Sequence, residues 1–215
     1  MIIQPIVEGQ GDEAAVPLLL RRLCDEAQAW GLEVARPHRK KRTQLVKRDS
    51  LQAAVRVAAL RENCGAILVL FDADDDCPKE LAPILEAWAR EVAGGRPCAV
   101  VMANREYEAW FLASIETLRG QASILSDATS HDQPEAPRDA KGELERRMPR
   151  RASYSPTVDQ AALTARLDLR RVYSGCRSFR KLVSAFGVLA TAAGMAPAVW
   201  PPAAWASWDE PRSES

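Results

Sequence analysis

Apolar residues fall into two alternating textures along the first half of the chain. Short runs, "IIQPIV" at 2–7, "AILVLF" at 66–71 and "PCAVVMA" at 97–103, alternate with stretches whose apolar positions lie three or four apart. Unbroken runs suit strands covered on both faces, and spaced positions suit one-sided helices. The helical stretches are 14–30 (Val16, Leu19, Leu20, Leu23), 50–62 (Leu51, Ala54, Val55, Ala58), 79–92 (Leu81, Ile84, Leu85, Trp88) and 105–118. Pro17 fits only a first helical turn, which places the start of the first helix near Ala14. Pro5 marks its strand as an edge or a strand start, and "EVARPH" at 33–38 gives a weak second strand.

Strand and helix in regular succession predict an α/β fold, a Rossmann-like, mostly parallel sheet with helices on both faces. Such sheets bind ligands beyond the carboxyl ends of their strands. Three acidic segments, "EGQGDE" (8–13), "DADDD" (72–76) and "NREYE" (104–108), each follow a strand and therefore share one rim. Residues 119–137 are polar and turn-rich and read as a linker. Residues 138–190 are helical and basic, and a tail rich in Pro and Trp follows. The expected organisation is a core at 1–118, a linker at 119–137 and a helical elaboration at 138–215.

Composition narrows the chemistry. Lys plus Arg and Asp plus Glu both number 29 in the 215 residues, so net charge points to no partner. Five scattered cysteines without a CxxC pair, and only His38 and His131, argue against structural zinc and against a disulfide framework. No secretory leader pattern and no run of roughly 18 apolar residues is present, so the expected location is the cytoplasm, away from membranes.

The acidic segments differ in how easily they are explained. A single Asp after a strand caps a helix, but four within "DADDD" repel one another, by about 4 kcal/mol per close pair at an effective dielectric near 20. Alternation sets Asp72, Asp74 and Asp76 on one side and Asp75 on the other. Asp12 and Glu13 suit the positive end of the first helix, whereas Glu8 stands at the strand end and faces the rim. Asn104 and Glu106 suit a helix start, but Glu108 heads an apolar stripe with Phe111, Leu112 and Ile115 and needs a partner. Trp110 and Phe111 read as core. Carboxylates without His or Cys select Mg²⁺ or Mn²⁺, the ions of phosphoryl and phosphodiester chemistry.

The patterns "EGxxDE" after the first strand and "DxDxD" after a later one resemble the Toprim domain of topoisomerases, bacterial primases and OLD-type (overcoming-lysogenization-defect) nucleases. With "NREYEAWFLAS", "RDAKGELERRM" and "YSGCRSF", the chain further resembles an uncharacterised bacterial Toprim-like family. Its members are often encoded beside an ABC- or SMC-type ATPase, a layout seen in phage defence. The resemblance implies that Glu8 is the Toprim glutamate, Asp72 and Asp74 its paired aspartates, and Asp76 the third position. It implies Glu13 as a second glutamate of the OLD type and Glu108 as a further acidic ligand. Neither a domain carrying a topoisomerase tyrosine nor primase modules are recognisable, which leaves a nuclease.

Basic segments suit that reading. Residues 36–48 hold seven Lys or Arg, including Arg39, Lys40, Lys41 and Arg42, residues 138–151 hold six, including Arg138 and Lys141, and residues 166–181 add Arg166, Arg170, Arg171, Arg177, Arg180 and Lys181. They are candidates for holding a DNA or RNA backbone, with Lys141 placed to stabilise charge on the leaving phosphate. Two other readings stay open. One is a regulatory subunit, possible as a homo-oligomer, that binds metal or nucleotide without cleavage. The other is a haloacid-dehalogenase-like phosphatase, against which the position of "DADDD" after a later strand and Asp76 at its fifth place both count.

Overall fold

The computed structural model describes residues 1–195, 197 and 199–206. At its centre lie β1 (Ile2–Val7), β4 (Cys64–Asp72) and β5 (Cys98–Ala103). Two short strands, β2 (Glu33–Val34) and β3 (His38–Arg39), both pair with the outer side of β1. All pairings are parallel, in the order β2-β1-β4-β5 with β3 beside β1. The expected second strand is thus one edge split by Pro37, which has no N–H to give a ladder.

Pro5 proves to lie in an interior strand. Its neighbours explain the tolerance: Ile3 and Val7 accept from Ala35 and Lys40 across the β2/β3 side. Residues two apart face the same way, so the missing N–H of Pro5 falls where that edge is interrupted. The ladder to β4 loses nothing.

Strand alternation divides the core. Leu68, Leu70, Val101 and Ala103 face one layer, and Ile67, Val69, Phe71, Val100 and Met102 face the other. The second layer is α3 (Arg48–Ala59) and α4 (Pro78–Arg90), preceded by the short α2 (Arg42–Leu45). The first layer holds α1 (Asp12–Glu26), the short α5 (Glu108–Leu112) and α6 (Ile115–Leu118), and most of the second half of the chain. That half contributes α7 (Ala140–Glu145), α8 (Pro156–Arg166), α9 (Leu169–Gly175), α10 (Arg177–Ala192) and α11 (Ala203–Ala206). There α10 packs on β4 and β5, and α8 on α1.

Several local expectations are corrected. The first helix starts at Asp12, two residues before Ala14, so Pro17 lies inside it rather than in its first turn. The stretch 105–118 is two short helices, and Asn104 caps neither, because the first begins after Tyr107. Trp110 and Phe111 are core, both fully buried. In the tail, Trp200 stacks on Phe186 and donates from Nε1 to the Val183 carbonyl at 2.7 Å, while Trp205 packs on Tyr173. Trp208 lies outside the described residues. No helix among them is long and apolar enough to cross a membrane.

Candidate functional site

Parallel strands end together, so β1, β4 and β5 deliver their following loops to one rim. Glu8 is the first residue past β1, Asp72 the last of β4, and Glu106 and Glu108 follow β5. Asp72 continues the Leu68–Leu70 side of β4, which turns its carboxylate toward the first helical layer. There Oδ1 accepts from the Tyr107 N–H at 2.8 Å.

Lys141, at the start of α7, lies in the middle of the carboxylates. Its Nζ is 4.0 Å from Asp72, 3.8 Å from Glu106 and 4.0 Å from Glu108. Its backbone N–H donates to Glu106 Oε2 at 2.9 Å, which anchors α7 to the rim. Asp139 caps that helix through the Gly142 N–H. Burial acts to lower the Lys141 pKa, but Glu108, Asp72 and Glu106 together raise it, so the ammonium stays charged.

The carboxylates pull the other way. Burial, then Glu108 and Asp12, push Asp72 well above the usual carboxylate range, against Lys141 and the Tyr107 N–H. Glu108 is 2% exposed, and burial lifts it to about 7 despite Lys141. Glu8 is raised by burial, then by Asp74 and Asp12, with the Arg42 N–H and guanidinium opposing. The Tyr154 phenol is raised by burial and by the Glu108 carboxylate near it.

The Glu108 shift has a definite sign. A carboxyl that holds its proton more tightly when folded contributes stability that is complete below 4.5 and lost as pH rises through about 7. Moving from 4.5 to about 7 corresponds to roughly 3 kcal/mol. The urea midpoint of the metal-free protein is therefore expected to drop between about pH 5 and pH 8; Asp72 and Glu8, raised in the same direction, add to that drop, and Glu108→Gln is expected to make the slope shallower without abolishing it. An unchanged slope in the variant would remove Glu108 as one of its sources.

The "DADDD" loop does not keep its alternation, because Asp74 adopts a left-handed backbone with φ 49°. Asp72 turns to Lys141, whereas Asp74 and Asp76 both pair with Arg42. Arg42 also donates to the carbonyls of Asp72 at 3.2 Å and Ala73 at 3.0 Å, so it braces the loop from α2. Asp75 pairs with Arg105 and Arg138 and points away from Lys141. Arg42→Ala is expected to cost about 1–3 kcal/mol through the unpaired groups it leaves. Hydrogen exchange should quicken at 72–76 while the centre of β4 stays protected.

The candidate residues thus separate. Glu8 and Asp74 lie together near Arg42, and Asp72, Glu106 and Glu108 surround Lys141. Glu13 pairs with Arg39 at 3.5 Å, outside both groups. Lys40 is half-buried and Lys41 exposed, neither in an ion pair among the described residues. Asp12 suits a helix end by its position, yet it raises both Glu8 and Asp72 and so stands between the two groups. It accepts from the Gly9 N–H at 2.8 Å and from Gln160 Nε2 at 2.7 Å. Gln160 belongs to α8, which lies directly on the loop: a Cβ on Gly11 would be 2.6 Å from the Pro156 carbonyl. The second glycine of "EGQGDE" therefore admits a helix as well as a turn.

A divalent cation suits part of this arrangement. Among the described residues Glu8 Oε2 and Glu108 Oε2 are buried oxygens without a hydrogen-bond partner, although Glu108 Oε2 has the Lys141 ammonium 4.0 Å away. An oxygen-only carboxylate set is the chemistry of Mg²⁺ or Mn²⁺. Among the described residues, however, no three acidic, imidazole or thiol groups converge closely enough to hold an ion. Lys141 takes the central place, so a cation shared by Asp72 and Glu108 must displace its ammonium.

Fold and rim together define a parallel α/β protein whose acidic strand ends are closed over by a helical second half. The chain belongs to the family described as Domain of unknown function (DUF4276), whose model matches residues 7–186. That match takes in both the rim and the helical layer. No curated protein and no solved structure matches the chain.

Proposed function

We propose that the protein is a Mg²⁺- or Mn²⁺-dependent nuclease of the Toprim type, hydrolysing phosphodiester bonds of DNA or RNA. The observation that carries the reading is the set of buried and half-buried carboxylates at the sheet rim, Glu8, Asp72 and Glu108, in which Glu8 Oε2 has no hydrogen-bond partner among the described residues and Glu108 Oε2 meets the Lys141 ammonium at 4.0 Å. Orphaned buried carboxylate oxygens are costly unless something charged comes to them. The "EGxxDE" and "DxDxD" patterns support the same reading.

In this reading Glu8 and Asp72 would hold the cation, and Asp74 would join them only by leaving Arg42. When bound, the cation supplies charge stabilisation at phosphorus and a more acidic water. The water oxygen bonds to phosphorus as the bond from phosphorus to the leaving sugar oxygen breaks. Glu108 takes the water's proton. Lys141, the cation nearest these carboxylates, would face the charge that develops on the phosphate and would donate to the leaving oxygen. The resemblance to proteins encoded beside ABC- or SMC-type ATPases makes such an ATPase the proposed partner, and phage defence the proposed setting.

One observation favours a second reading, binding of metal or nucleotide without cleavage. With Lys141 among them, the carboxylates are already partly neutralised. Purified protein incubated with plasmid DNA and with RNA separates the two. Cleavage that requires Mg²⁺ or Mn²⁺ and stops with a chelator supports the nuclease. Binding without any cleavage, with the ATPase present or absent, supports the second reading.

A further inference from the structure

The basic residues marked from the sequence as phosphate contacts are largely occupied. Arg42 braces the aspartate loop, Arg39 pairs with Glu13, Arg138 with Asp75, and Lys141 lies among carboxylates. Of those candidates Lys40 and Lys41 stand outside ion pairs among the described residues, and a second group of unpaired cations stands together on a cavity.

That cavity, of about 720 Å³, lies at the outer edge of β5, between the starts of α4 and α10. Its floor is apolar, with Pro83, Val100 and Met102. Lys79 of α4 stands on one wall, and Arg177 and Lys181 of α10 on the other. Arg177 and Lys181 are four apart on one helix and so share a face. All three are exposed, and none forms an ion pair among the described residues. The acids lining the cavity are engaged: Asp75 with Arg105 and Arg138, Asp76 with Arg42, and Glu86 with Arg90. Glu135 accepts from the first N–H groups of α10, so side-chain cations rather than that helix end supply the unpaired positive charge. Asp75 and Asp76 join the cavity to the loop that carries Asp72.

We propose that this cavity seats a nucleotide of the nucleic-acid strand presented to the rim, its phosphate held by Lys79, Arg177 and Lys181. The inference rests on the nuclease reading for what the strand is for. The volume falls in the range of small-ligand sites, which run from ~300 to ~1,000 Å³. An apolar floor beneath a cationic rim matches the sugar and base of a nucleotide beneath its phosphate. Contacts of this kind give affinity that falls with salt and little sequence preference.

The test is fluorescence anisotropy of a labelled single-stranded oligonucleotide in EDTA, so that binding is read without cleavage. The triple variant Lys79→Ala, Arg177→Ala, Lys181→Ala, its fold checked by circular dichroism, is expected to bind at least tenfold more weakly. Its plot of log affinity against log salt is expected to be shallower by about 0.7 per cation removed. Arg61→Ala, an exposed cation at the opposite end of β4 from the rim, is expected to bind as the wild type does. Equal affinity and slope in the triple variant overturn the cavity, whatever becomes of the nuclease reading. Competition by a mononucleotide as effective as that of the oligonucleotide overturns the strand in favour of a free nucleotide. Cavity-dependent binding without metal-dependent cleavage overturns the nuclease reading and leaves the nucleotide site standing.

Discussion

Asp72→Asn is expected to lower metal-dependent cleavage on the order of 10³-fold while the protein stays folded. The substitution keeps the shape and the acceptor oxygen that meets the Tyr107 N–H. It removes the one carboxylate that ends a central strand and also faces Lys141 and Glu108. Loss of a single group acting on the reacting atoms typically costs about 10²–10⁴ in rate. Asp75→Asn is the matched comparison. Asp75 is exposed and paired with Arg105 and Arg138, so its loss is expected to change the rate less than about threefold. Gel assays on plasmid and RNA at matched protein concentrations read both variants. Equal losses in the two would show that the loop's total charge, rather than Asp72, carries the activity.

Trp110→Ala is expected to be the most destabilising single change, at about 3–5 kcal/mol. Its indole is fully buried, packs on Tyr107 at 4.6 Å and Phe179 at 5.2 Å, and donates to Ser178 Oγ at 2.9 Å. It thereby ties the segment bearing Glu108 to the start of α10. Total stabilities are about 5–15 kcal/mol, so a loss of this size removes a large share. Urea unfolding of the wild type, Trp110→Ala and Trp110→Phe measures it, with Phe expected to lie between the other two. A loss below about 1 kcal/mol in Trp110→Ala would show that the helical layer does not depend on this anchor.

How much of this was legible in the sequence follows from what sets each feature. The strands at 2–7, 66–71 and 97–103 showed as apolar runs because each is covered on two faces, and the rim followed from their parallel order. Asp72 and Glu108 were legible from the strand end and from the head of an apolar stripe. Long-range contacts were not. Local alternation grouped Asp74 with Asp72, but a left-handed residue and a guanidinium from α2 part them. Asp12 looked like a helix-end acid until Gln160, 148 residues away, was found holding it. Lys141 was read as a phosphate contact, yet its backbone and ammonium both bind the rim. The only local hint for Asp12 was Gly11 beside it, a place where another backbone can come close.

The helical second half shows the same limit. Its apolar positions were visible, but which face of the sheet they cover was not, and α8 over the glycine loop had no signature of its own. Basic residues were countable without being assignable: Arg42 braces a loop, whereas Arg177 and Lys181, in no ion pair among the described residues, line a cavity. Only their acidic neighbours, distant in sequence, distinguish the two cases.

Glu8 and Asp72 are proposed to serve one divalent cation at the rim. Diffraction from crystals soaked in Mn²⁺, recorded at the manganese absorption edge, tests this most directly. The account requires an anomalous peak at the rim with carboxylate oxygens of Asp72 and Glu8 about 2.1–2.2 Å away, and with the Lys141 ammonium moved out from between Asp72 and Glu108. A fully soaked crystal with no peak there, and Lys141 still among the three carboxylates, would contradict it.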